Sequence, residues 1–74
     1  MHELISLIRR EARLDLPIGP DTPLISSGLI DSFSIARLIA ALGEHYHVEL
    51  DSTDIGVDNF DTASQIHRLI CESR

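Results

Sequence analysis

Between Asp15 and Asp31 the chain carries Pro17, Gly19, Pro20, Pro23 and Gly28, too closely spaced for regular structure beyond a single turn. A stretch this long without helix or strand is unusual in a small domain and is often functional. It does not read as a flexible linker, because Leu16, Ile18, Leu24, Ile25, Leu29 and Ile30 supply apolar anchors along it. The fold has to be built from the segments on either side, with the loop pinned onto them.

Those segments read as helices. Leu4, Ile5, Leu7, Ile8, Ala12 and Leu14 recur at three- and four-residue steps, which predicts an amphipathic helix over Glu3–Leu14 that Pro17 limits. Ile35, Leu38, Ile39, Leu42 and Tyr46 share one face of a second helix, from Ser32 to about Tyr46. Gly43 lies inside it and should let the last turn fray or bend, since glycine costs about 1 kcal/mol relative to alanine there. His45 and His47, when protonated, suit the negative end of the helix dipole. Val48-Glu49-Leu50 leaves as a short extended segment with Leu50 turned inward. Asp51-Ser52-Thr53-Asp54 offers N-cap oxygens for one turn of helix over Ile55–Phe60, with Val57 and Phe60 as its core contacts. A last helix runs to about Cys71 with Ala63, Ile66, Leu69 and Ile70 inward. Thr62 and Gln65 fit a capping box there, and Asp61 competes as the cap. No stretch alternates as a strand does. The expectation is a single all-α domain, residues 1–74: a four-helix bundle of three main helices plus one short helix. The long first loop lets the first two helices lie antiparallel.

Composition bounds the function. A chain of 74 residues supports one modest core and leaves little room for an enclosed catalytic cleft. With one Tyr, two Phe and no Trp, that core must be mostly aliphatic. The net charge of −6, with no lysine, disfavours nucleic acid and anionic membranes and suits partners with basic docking surfaces. It also serves simple solubility. The single cysteine, Cys71, excludes an internal disulfide. Met1-His2-Glu3-Leu4 lacks the basic region and long apolar run of a signal peptide, and no apolar run approaches the roughly 20 residues needed to span a bilayer. The cytoplasm is the expected compartment.

The residues with chemical promise lie where the loop becomes the second helix: Gly28-Leu29-Ile30-Asp31-Ser32-Phe33. Backbone N–H groups at a helix start lack intrahelical partners, and the dipole favours anions there. A serine hydroxyl in that position is well placed to carry a phosphate. Ser32 also suits the bland role of N-cap, and Asp31 that of a charge favouring the helix start. A protease-like role for Ser32 needs an oriented base, and nothing in the spacing brings His2, His45, His47 or His67 beside it. A metal site at Glu44, His45 and His47 is disfavoured, because residues two apart on a helix do not share a face. Cys71 reads as a small core or surface residue.

Leu29-Ile30-Asp31-Ser32-Phe33, followed by Leu38 and Leu42, resembles the attachment motif of acyl and peptidyl carrier proteins. The order of helices and loops extends that resemblance over nearly the whole chain, and Asp21-Thr22-Pro23-Leu24 is similar to the family's segment that tucks a leucine into the core. The resemblance implies an acyl-carrier-like four-helix fold and 4'-phosphopantetheine esterified to Ser32, with Asp31 helping the modifying enzyme engage. It implies no catalysis by the chain itself. A phosphopantetheinyl transferase would take the arm from coenzyme A and supply base and metal. An adenylating or acyl-transferring enzyme would load the arm, and tailoring or condensing enzymes would receive the cargo. Phe33, Ala36, Arg37 and Ala40 are the expected partner-facing residues, with covering of the loop as the alternative for Phe33.

The match is uneven. Carriers of fatty-acid synthases have a leucine after Asp-Ser and an acidic second helix. Here Phe33 follows Ser32, and the helix bears Arg37 and a late Glu44. The stretch is more similar to discrete carriers loaded by adenylating enzymes, such as aminoacyl, peptidyl and D-alanyl carriers or those of natural-product pathways. A start at Met1 and an end soon after the last helix favour a discrete protein; a monomer is expected. The competing reading is a small acidic helical interaction module with no prosthetic group. Ser32 discriminates the two, since a module would accept another N-cap residue there. Helix-turn-helix DNA binding is a distant third, because no helix has a basic recognition face.

Overall fold

The computed structural model describes residues 2–50 and 55–73. Four helices follow in order: α1 (His2–Ala12), α2 (Ser32–Tyr46), α3 (Val57–Phe60) and α4 (Ala63–Ser73). Among the described residues there is no strand. The expected all-α architecture, three long helices and one short with a long first loop, is what the chain adopts. α1 packs on α2 and α4, and α3 packs on α4. The carboxylate of Glu3, at the start of α1, pairs with the His45 ring near the end of α2, so these two helices run antiparallel.

α1 buries Leu4, Leu7 and Ile8, the stripe its periodicity predicts. It stops at Ala12, two residues short of the expected end and well before Pro17. Arg13 takes a left-handed conformation (φ 55°). The Leu14 N–H donates to the Arg9 carbonyl at 2.9 Å and the Arg13 N–H to the Arg10 carbonyl at 3.3 Å, a Schellman closure without the usual glycine. The reversal turns Leu14 onto the core, while Leu16, expected to anchor the loop, is left 41% exposed.

The loop is ordered by hydrogen bonds rather than by helix or strand. The Gly19 N–H donates to Thr22 Oγ1 at 2.8 Å. The Gly28 N–H donates to the Ile25 carbonyl at 3.1 Å, in a turn that needs the positive φ of 81° at Gly28. Leu24 and Ile30 are buried, and their backbones meet where the Ile30 N–H donates to the Leu24 carbonyl at 3.1 Å. The loop is tied to the start of α4 by the Leu24 N–H on the Asp61 carbonyl (2.7 Å) and the Ser64 N–H on the Pro20 carbonyl (3.0 Å).

α2 buries Leu38 and Leu42, with Ile35, Ile39 and Tyr46 packed beside them. It neither frays nor bends at Gly43; it runs unbroken to Tyr46 and closes through His47 in the left-handed region. A Cβ at position 43 would sit 3.2 Å from the Val48 carbonyl oxygen, so the glycine makes room for the returning chain. Val48 is buried there, and Leu50 packs at the core margin as expected.

The N-caps expected from Asp51 to Asp54 lie outside the described residues. α3 starts instead from Gly56, whose N–H donates to Asn59 Oδ1 at 2.9 Å. Phe60 is completely buried, but Val57, expected in the core, is 49% exposed. α3 is a single turn whose far end is driven into the core by Phe60. Val57, at the near end, borders an open groove. α4 opens with the predicted capping box: the Gln65 N–H donates to Thr62 Oγ1 (3.2 Å), and Gln65 Oε1 accepts the Thr62 N–H (3.1 Å). The helix buries Ala63, Ile66 and Ile70 and continues to Ser73, past the expected end at Cys71.

Asp61 is not the cap. Its Oδ1 accepts the N–H groups of Leu24, Ile25 and Ser26 at 3.1, 2.8 and 2.9 Å, and its Oδ2 accepts the Ser26 hydroxyl at 2.9 Å. The Ser26 N–H leads the donors that hold this carboxyl below the ordinary aspartate value, against a smaller opposing effect of desolvation. A carboxyl depressed on folding stabilises the fold at all pH above its ordinary value, and that contribution is lost as pH falls through the depressed one. Thermal melts between about pH 5 and 2 should therefore show a shallower acid loss for Asp61→Asn than for wild type. Equal slopes would remove Asp61 as a source of acid sensitivity.

Candidate functional site

The start of α2 is built by Asp31. Its backbone is extended (φ −108°, ψ −177°), its carbonyl accepts the Ile35 N–H at 2.9 Å, and its Oδ1 accepts the Ser34 N–H at 2.8 Å. Asp31, not Ser32, is the N-cap. The cap role weighed for Ser32 is thus corrected by one residue, because the extended backbone at Asp31 brings its carboxylate to the N3 amide of Ser34. The Ser34 N–H, then the Ser34 hydroxyl, hold the Asp31 carboxyl below its ordinary value.

Relieved of capping, Ser32 becomes the first helical residue. It is exposed, and among the described residues its hydroxyl has no hydrogen-bond partner. It therefore combines access with the field of a helix start, which favours an anion on its oxygen. A phosphodiester on this oxygen fits: among the described residues nothing hydrogen-bonds the hydroxyl, and the residue is exposed.

Ser32 also stands on the rim of a groove of about 370 Å³. Ile25 from the loop, Ile35 and Ile39 from α2, and Ile55 and Val57 from the α3 side line it. A second, wider groove of about 520 Å³ lies between α1 and α2, bordered by Arg10, Glu11, Arg37 and Glu44, and does not reach Ser32. The four residues expected to face partners are divided between these flanks. Phe33 is 70% exposed and does not cover the loop. Ala36 lines the groove beside Ser32, whereas Arg37 and Ala40 line the one against α1.

No base attends Ser32. His45 is held by Glu3 at the opposite end of α2, and His67 lies 4.0 Å from Cys71 on the exposed side of α4. Among the described residues no three His, Cys, Asp or Glu side chains converge on a metal position. Sequence reasoning gave Asp61 only a competing cap role and missed its bonds to the loop. Its signal was indirect: a spare cap-type residue directly before a capping box that was already complete.

The geometry is an exposed serine at a helix start with, among the described residues, no histidine beside it. Residues 2–70 match the family model described as "Phosphopantetheine attachment site". The chain belongs to this phosphopantetheine-binding family. It is similar to a D-alanyl carrier protein of Bacillus licheniformis, with 26% identity over 73 residues, 97% of this chain and 94% of the relative. Members of the family carry covalently attached 4'-phosphopantetheine and work with partner enzymes such as transferases and ligases, without being catalysts themselves. That membership favours the carrier reading over an interaction module without a prosthetic group. Among the described residues no helix is long and apolar enough to cross a membrane.

Because the Asp31 carboxylate caps α2, Asp31→Ala should lower the urea midpoint. Asp31→Asn keeps an acceptor oxygen and should recover most of it. Urea denaturation of the three proteins gives the comparison. A wild-type midpoint in the alanine variant would mean that the cap is dispensable.

Proposed function

We propose that Ser32 bears the 4'-phosphopantetheine arm and that the protein delivers an aminoacyl or small acyl cargo to successive partner enzymes. The observation that carries this is the division of labour at the start of α2. Asp31 satisfies the helix amide, and Ser32 is left exposed with a free hydroxyl. Loading then asks of this chain only that hydroxyl and its setting, since a phosphopantetheinyl transferase supplies the chemistry. The arm contributes a terminal thiol on which cargo is held as a thioester. Tethering raises the effective concentration of the cargo at each enzyme that docks.

The cargo reading rests on two supports. The relative named as a D-alanyl carrier points to an aminoacyl group activated by an adenylating enzyme. The second helix carries Arg37 and Glu44 where a fatty-acid carrier would carry a row of acids. A natural-product or aminoacyl-transfer pathway suits this surface better than primary fatty-acid synthesis. Phe33 and Ala36, next to Ser32 and exposed, are the proposed contacts for the transferase and later partners. Arg37 and Ala40 would serve only a partner broad enough to reach the α1 side. In this reading the protein acts as a single domain, as a monomer, in the cytoplasm.

Incubation with coenzyme A, magnesium and a broad-specificity phosphopantetheinyl transferase should add one phosphopantetheine group to wild type and none to Ser32→Ala, read by intact mass. Modification of the alanine variant, or none of a folded wild type by several transferases, would overturn the assignment.

A further inference from the structure

We propose that Asp61 is a positioning residue for Ser32, acting across the fold by fixing the loop that ends in Asp31-Ser32. The proposal rests on the assignment of Ser32 as the attachment residue. Asp61 touches neither Ser32 nor anything bound to it. It lies at the junction of α3 and α4, 35 to 37 residues along the chain from the loop atoms it holds. Its carboxylate takes three consecutive backbone N–H groups and one hydroxyl, while its own carbonyl takes the Leu24 N–H a second time. Bonds to a carboxylate are stronger than those between neutral groups, and three successive amides on one oxygen restrain the segment between Leu24 and Ser26.

From this clasp the constraint passes on in two directions. The Leu24 carbonyl accepts the Ile30 N–H, closing residues 24–30 into a ring whose ends are both buried. Asp31 and Ser32 follow at once, so the place where α2 begins is set by where Asp61 holds Leu24. In the other direction, Ile25 gives its N–H to Asp61 and its side chain to the groove beside Ser32. Asp61 therefore fixes both the angle at which the serine is offered and one wall of the groove it borders. Phe60, next to it and fully buried, anchors the clasp to the core.

The test compares Asp61→Ala, Asp61→Asn and Ile70→Val, the last weakening the core at the far end of α4. Two readouts are taken: backbone amide chemical shifts of the unmodified protein, and transferase kinetics with the carrier as varied substrate. Asp61→Ala should displace the amide signals of Ile30, Ser32 and Ser34. It should raise KM for the carrier by ~5-fold or more with kcat within about 2-fold. Asp61→Asn, which retains an oxygen for the three amides, should return both readouts towards wild type. Ile70→Val should lower the melting temperature and change neither. Unmoved Ile30–Ser34 signals in Asp61→Ala, or a KM equal to that of Ile70→Val, would overturn the proposal. If Asp61→Ala does not fold, Asp61→Glu, whose longer side chain keeps the charge but displaces the oxygens from the three amides, is judged by the same outcomes. If wild type is not loaded at all, the Ser32 assignment fails, while the amide shifts still decide whether Asp61 governs the start of α2.

Discussion

A long loop in a small helical domain has to satisfy its backbone amides without a sheet to pair with. In this chain one carboxylate meets much of that demand. Three consecutive N–H groups and a hydroxyl converge on Asp61, which stands beyond the end of a one-turn helix. The two buried anchors of the loop lie on this arrangement: Leu24 gives its N–H to Asp61, and its carbonyl accepts the Ile30 N–H. The order of the loop, and through it the start of α2, follows.

The start of α2 shows a second economy. Asp31 and Ser32 are adjacent, of similar size, and both good helix-capping residues, yet they do different things. Extended geometry at Asp31 sends its carboxylate to the Ser34 amide, and helical geometry at the next residue turns Ser32 outward. One residue stabilises the helix, and the other is released from it. A serine that had to cap could not be modified without some loss of the helix that presents it.

Much of the fold was legible from periodicity and capping chemistry. Leu4, Leu7 and Ile8, or Leu38 and Leu42, mark buried stripes because a 3.6-residue repeat has few other uses, and Thr62 with Gln65 is a local signature that geometry honours. What escaped notice shares a different character. The end of α1 depends on Arg13 in a conformation usually left to glycine, so no stop signal was visible. Val57 and Phe60 are spaced for one face, but a single turn is too short to bury both of its ends. The clasp on Asp61 joins residues more than thirty positions apart, and nothing local distinguishes it from an ordinary cap. In the site, Ser32 was found from its place between loop and helix. The expected partner residues were taken together, and the structure separates them: Phe33 is exposed and lines neither groove, Ala36 lines the one beside Ser32, and Arg37 and Ala40 line the one against α1.

Gly43 carries a lesson about drift. By helix propensity alone, alanine would be the better occupant by about 1 kcal/mol. Yet a methyl there would press on the Val48 carbonyl at 3.2 Å. A random walk through sequence space would meet a gradient pulling towards larger residues at this position and a wall raised by the returning backbone. The wall is made of main chain, so a larger residue is admitted only if the backbone at Val48 gives way by a few tenths of an ångström.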